Sequence, residues 1–167
     1  MFSKVSRIGF GCLSIDAILA WKPMSIEIKI LRSGDENVLL NVAPDVFDDP
    51  INPQSTELFL ANPHHHLVVA LDAGIVVGFA SGVHYFHPDK PVPELFVNEV
   101  GVAPTHQGQG IAKRILAALF QVGREVGCGQ AWVLTDRSNT AAMRLYAGVG
   151  GEESPLGEVM FSFPLGE

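Results

Sequence analysis

Only two cysteines, Cys12 and Cys128, occur in the chain, and neither belongs to a Cys-x-x-Cys pair. A disulfide framework and cysteine-based redox or zinc chemistry are therefore unsupported. Positive charge is also scarce: 11 Lys and Arg stand against 18 Asp and Glu, a net charge of −7. That balance speaks against nucleic acid as a main partner, because a phosphate backbone rewards clustered cations. Long apolar runs are missing too. Residues 8–15 imitate a secretory leader behind Lys4 and Arg7, but Asp16 interrupts the run and Trp21-Lys22-Pro23 makes a poor cleavage site. The stretch is also too short and too polar to span a bilayer. The expectation is a start at Met24, with residues 1–23 an extension outside the fold, and a cytoplasmic protein with no membrane partner.

What remains is enough for one domain, expected over residues 24–167. The composition is 47% hydrophobic and 17% charged, which fits a globular core. Residues 26–32 alternate apolar and polar, the mark of a half-buried strand. Residues 35–42 can form a short helix, and Asn52-Pro53 supplies a cap and a first helical position for a second, closed by Asn62-Pro63. Two apolar runs, 67–71 and 75–79, flank Asp72-Ala73-Gly74, a hairpin turn, and the second run can extend to Tyr85. Three prolines force residues 87–93 into a loop. Residues 95–102 read as a strand in which Gly101 marks a bulge or a close backbone approach. Ile111, Ile115, Leu116, Leu119, Val122 and Val126 trace one helical face that Gly127 ends. A buried strand at 131–135, a helix at 140–147 and a last strand at 159–163 complete an α/β domain with a mixed sheet.

The segment Glu99-Val100-Gly101-Val102-Ala103-Pro104-Thr105-His106-Gln107-Gly108-Gln109-Gly110-Ile111-Ala112 runs from a strand through a glycine turn into the long helix. Unpaired N–H groups at a helix start, with the positive end of its dipole, make an anion site. Gly108 and Gly110 would clear side chains from a close-lying pyrophosphate, and the small residues Gly110 and Ala112 would let helix and strand approach. A plain tight connection would use the same glycines. Two other phosphate motifs fail on spacing, since Lys113 stands where a dinucleotide fingerprint needs its third glycine and no Gly-Lys-Ser/Thr follows.

The pattern Gln107-x-x-Gly110-x-Ala112 resembles the acetyl-CoA motif of the GCN5-related N-acetyltransferase (GNAT) superfamily. Val100-Gly101-Val102-Ala103-Pro104 is similar to that family's splayed fourth strand, and Asn139, Ala142, Leu145-Tyr146 and Gly148 resemble its downstream signature. The resemblance implies a GNAT-type mixed, mostly antiparallel central sheet with helices on both faces. It implies acetyl-CoA as acetyl-donor cosubstrate, held by the backbone of Val100 and Val102 and by the amides of Gln107, Gly108, Gln109, Gly110, Ile111 and Ala112, with Asn139 on the cofactor arm. Many family members carry Arg at the first motif positions. Here Gln107 and Gly108 leave the phosphate charge to backbone dipoles, with Lys113 or Arg114 as helpers.

For an amine to attack, it must be neutral, so a positioned base helps. Glu99 is the candidate: a carboxylate in an apolar strand, where low polarity raises its pKa, and an acidic residue in several family members at this position. Binding a cationic substrate is its other reading. Tyr146 is the candidate acid toward a departing thiolate, with a plain core tyrosine as the alternative. His64-His65-His66 is not read as a metal site, because consecutive strand residues cannot face one centre; His84 and His87 are placed near the acceptor. Asp45, Asp48, Asp49 and Asp136 are assigned to acceptor binding, with Glu94, Glu152 and Glu153 adding charge that suits a cationic amine or forms a solvated face. Glu94, Asn98-Glu99 and Gln109-Gly110-Ile111-Ala112 also look like the aminoglycoside 3-N-acetyltransferase branch. The expected partner is a small-molecule amine, and two copies could pair through the last strands. Acetylation of protein N-termini or lysines, and a non-catalytic acyl-CoA sensor, are the competing functions.

Overall fold

The computed structural model describes residues 25–154. Residues 1–23, the strand expected at 159–163, and any pairing through it lie outside the described residues. Five strands, β1 Glu27–Leu31, β2 His65–Asp72, β3 Ile75–Tyr85, β4 Glu94–Val102 and β5 Gln130–Val133, form one sheet in sequence order. The first three pairings are antiparallel and β4 pairs with β5 in parallel. A parallel pair needs a crossover, and the helix α2 (Ile111–Glu125) provides it. Two further helices, α1 (Pro53–Ala61) and α3 (Thr140–Ala147), complete the described elements, with 3-10 turns at Glu36–Leu40 and Pro104–His106.

Apolar side chains leave both faces of the central strands, which is why β2 reads as a continuous hydrophobic run. Val68 and Ala70 join Ile111, Ile115, Leu116 and Leu119 of α2 in one core. Leu67, Val69, Leu71 and Phe79 build the other with Leu39, Val46 and Leu60. The hairpin turn has left-handed Ala73 (φ 48°) and Gly74 (φ 83°), the geometry that matches strand twist. Asn52 caps α1 by accepting the Ser55 N–H at 3.0 Å. At the other end of α2, Cys128 N–H reaches Gly123 O and Gly127 N–H reaches Arg124 O. With Gly127 at φ 84°, this is a Schellman ending.

Several expectations need correction. The first helix is a five-residue 3-10 turn rather than a helix over 35–42. Val126 is the C-cap of α2 and 36% exposed, because the helix has already ended beneath it. The strand expected as buried at 131–135 is shorter, and Gln130, Ala131 and Trp132 are exposed at the margin of the described sheet. The bulge in β4 is at Asn98, not Gly101: Ser81 pairs with Glu99 while Gly82 pairs with Val97. Gly101 serves the other purpose, close approach. A Cβ there would collide with Val46 O and lie 2.7 Å from Phe79 Cε1.

That crowding yields a prediction. Gly101→Ala must displace the 44–50 loop or Phe79, and is expected to lower unfolding free energy by about 1–3 kcal/mol, read from the urea midpoint. An unchanged midpoint would show that the loop yields freely.

Candidate active site

β4 and β5 pair from Glu94↔Gln130 to Val97↔Val133 and no further, while β4 runs on to Val102. The two strands part there. Ala103 donates its N–H to Val77 O at 2.9 Å, so Gly101 and Glu99, in step with it, turn their backbone groups toward β3. Val100 and Val102, out of step, turn theirs into the gap. The extra residue Asn98 resets side-chain phase, so Val97 and Val100 both pack on the α2 side. Glu99 therefore shares the opposite face with Gly101, toward the acidic loop.

At the end of β4 the chain passes through a 3-10 turn, Pro104–His106, and reaches α2 by two left-handed glycines, Gly108 (φ 74°) and Gly110 (φ 75°). The glycines are needed for that conformation, which costs other residues about 1–2 kcal/mol. A Cβ on either would meet no atom of the described residues within 4 Å. Closeness of helix to strand is thus not what Gly110 provides, contrary to the sequence argument. Open space lies before the turn. Among the described residues no side chain caps α2, and its first amides have no intrahelical acceptor. Free donors, the dipole's positive end and open space suit a diphosphate.

Two side chains lock this turn. Gln107 Nε2 donates to Val102 O at 3.0 Å, and Gln109 Nε2 donates to Thr105 O at 3.4 Å. The first contact occupies the Val102 carbonyl, leaving its N–H for a ligand in the gap. Arg114 is committed elsewhere, donating to Ile26 O at 2.7 Å. Lys113 Nζ stands 2.8 Å from where a Gly148 Cβ would be, beside the C-terminus of α3.

Glu99 is half-buried, and burial pushes its carboxyl above the usual carboxylate range, with the negative charge of Asp48 adding to the effect. Asp45, Asp48 and Asp49 are exposed, and Asp45 takes a left-handed φ of 58°. Three of the other predicted acids, Asp136, Glu153 and Glu94, have partners of their own. Asp136 is held below the carboxylate range by the Ser138 N–H, which it accepts at 2.7 Å in the turn before α3. Glu153 pairs with Arg137. Glu94, 7% exposed, is neutralised by Lys90 and accepts the Tyr85 hydroxyl at 3.0 Å. Trp132 Nε1 in turn donates to Tyr85 Oη at 2.8 Å.

Tyr146 packs against the α2-side core with Leu145 and Val149. Burial raises its phenol pKa, which keeps the proton on oxygen. Asn139 accepts the Ala142 N–H at 3.1 Å as the cap of α3, so its side-chain NH2 is the part left for a ligand. His65 faces Phe59, whereas His64 and His66 face the α2 side with His84 from β3. His66 Nε2 and His84 Nδ1 are 2.8 Å apart, and His64 Nδ1 is 3.1 Å from His84 O. The tripeptide could not reveal this trio because its third member comes from the next strand. It also places His84 on the face opposite Glu99. Among the described residues no group of three His, Cys, Asp or Glu is arranged to hold a metal ion.

A family model for the acetyltransferase (GNAT) family matches residues 37–150. The N-alpha-acetyltransferase RimI of Mycobacterium tuberculosis is 37% identical over 105 residues, 63% of this chain and 63% of that protein. An aminoglycoside N(6')-acetyltransferase type 1 of Salmonella typhimurium is 27% identical over 101 residues, 59% of this chain and 70% of the relative. Matches to RimI and to an uncharacterized Bacillus subtilis N-acetyltransferase span 63% and 62% of those proteins, under two thirds of their length. Among solved structures, an aminoglycoside acetyltransferase from a soil metagenome, in complex with sisomicin, superposes with TM-score 0.71 at 20% identity. It covers 84% of this chain and 97% of its own. That likeness is one of fold.

Two titrations follow from the geometry. A carboxyl whose folded pKa is raised binds its proton more tightly folded than unfolded, so stability falls as pH rises past the ordinary carboxylate range. Glu99→Gln is expected to raise the thermal midpoint at pH 7.5 and to give no gain at about pH 4; equal midpoints at pH 7.5 would contradict the burial argument. His66 has the opposite sign. Burial, with His84 beside it, lowers its pKa from 6.5 to about 4, so stability is full above 6.5 and drains as pH falls toward 4. His66→Gln should flatten that acid limb in thermal melts between pH 4 and 7.

Proposed function

The chain belongs to the acetyltransferase (GNAT) family, and from that premise we propose that it moves an acetyl group from acetyl-CoA to a primary amine of a small cationic acceptor, an aminoglycoside being the leading class. The observation that carries the reading is Glu99: a half-buried carboxyl beside Asp48, one residue past the bulge where β4 leaves β5. A base of raised pKa suits a nitrogen that must shed a proton before it attacks.

Acetyl-CoA, when bound, supplies a thioester-activated acetyl group. The amides of residues 107–112 would hold its diphosphate, the Val100 C=O and the Val102 N–H its pantetheine arm, and the Asn139 side chain would add a contact. The Val100 N–H would also face the acetyl carbonyl oxygen and stabilise charge developing there. Glu99 takes the proton from the amine, directly or through water. Tyr146 gives the hydroxyl proton to the departing sulfur. Asp45, Asp48, Asp49 and Asp136 would receive further positive charge on the acceptor. With Glu94 and Glu153 already paired, Asp48 and Glu99 carry the weight of that recognition.

A second reading is acetylation of protein N-termini, favoured by the 37% identity to the mycobacterial N-alpha-acetyltransferase. An assay of free-thiol release from acetyl-CoA with aminoglycosides, polyamines, amino acids and peptides separates the two. Turnover is expected on aminoglycosides or polyamines; turnover on peptides alone would overturn the small-amine reading. Glu99→Gln should lower kcat by about 10²-fold or more while the affinity for coenzyme A stays within about twofold, a change of roughly 0.4 kcal/mol. An unchanged kcat across pH would remove Glu99 as the base.

A further inference from the structure

His106 precedes the phosphate turn and is used by none of the chemistry above, yet its side chain is only 14% exposed. Both ring nitrogens have partners. Nε2 is 3.3 Å from Asp72 Oδ2, and Nδ1 is 2.9 Å from Thr105 Oγ1. An ionised Asp only accepts, so Nε2 is the donor to Asp72, and Nδ1 shares the second bond with the Thr105 hydroxyl. The result is a hydrogen-bonded chain that joins Thr105, His106 and Asp72. Its far end belongs to the last residue of β2, 34 positions away in sequence.

This contact differs in kind from the two glutamine locks. Gln107 and Gln109 bond to backbone within five residues of themselves, so they shape the turn without fixing where it stands. Ala103 N–H to Val77 O anchors the strand end, but Gly108 and Gly110 follow with maximal backbone freedom. His106 lies between that anchor and those glycines. Tied to the rigid β2–β3 hairpin, it sets the place from which the amides of 108–112 project.

We propose that His106, through Asp72, is a positioning residue that preorganises the phosphate turn for coenzyme A. The inference rests on the reading of that turn as the coenzyme A site. A turn already held in place loses less freedom on binding, so the effect of the contact appears as affinity.

Calorimetry with coenzyme A and the full chain tests it, on wild type, His106→Ala, Asp72→Ala, the double variant and His106→Gln. Each alanine variant is expected to raise Kd about tenfold, about 1.4 kcal/mol. The double variant should be no worse than either single one, since one contact is lost in all three. His106→Gln, whose amide can reach Asp72, should recover most of the affinity. KM for acetyl-CoA should rise with kcat at saturation retained. Amide hydrogen exchange at 107–112 should quicken in unliganded His106→Ala. Unchanged Kd in His106→Ala, or losses that add in the double variant, would overturn the proposal while leaving the coenzyme A site standing. Wild-type protein that fails to bind coenzyme A would overturn the site reading itself, and this proposal with it.

Discussion

The pairing of β4 with β5 stops at Val97, and the arrangement of the candidate site depends on that stop. A sheet that stayed zipped would spend the N–H groups of Val100 and Val102 on a neighbouring strand. Because the strands part, those groups face a gap instead. The bulge at Asn98 works with the parting: one additional residue swaps the side-chain phase and carries Glu99 to the face of the acidic loop. Gly101 keeps that loop close by offering no Cβ to collide with Val46 and Phe79. Parting, bulge and glycine occupy five consecutive positions of one strand.

Electrostatics divides the acids into two groups. Glu94, Asp136 and Glu153 each have a cation or an amide to satisfy them, and are structural in that sense. Among the described residues Glu99 has no such compensation. Its neighbours are apolar burial and another carboxylate, Asp48, so its ionised form is disfavoured. Perturbation of that type, by desolvation and like charge, is what marks a group poised to exchange protons. A carboxylate satisfied by Lys90 is not poised in this way.

Much of the architecture was legible because it rests on local patterns. The period-two and period-3.6 spacing, the Asn52 cap, the Asp72-Ala73-Gly74 turn and the Gly127 stop all act within a few residues. The glycine turn before α2 was legible for the same reason, though its glycines are required by left-handed φ and not by crowding. Where reading failed, partners distant in sequence decided the outcome. His84 completes a trio with His64 and His66 across the β2–β3 ladder. Trp132 of β5 reaches Tyr85, the donor to Glu94, over 47 positions, and Asp72 reaches His106 over 34 positions. None of these pairings has a spacing rule, because each depends on strand register.

The sequence by itself determined the order of the described elements, the type of all but the first helix, the glycine turn before α2 and the carboxylate at Glu99, since each follows from residue type and near-neighbour spacing. Tertiary structure alone decided which acids remain free to act, where β4 leaves its partner, which backbone groups face the gap and what holds the turn in position. The physical reason is that hydrogen-bond satisfaction and burial are properties of surroundings. Those surroundings exist only once strands remote in the chain have come to lie side by side.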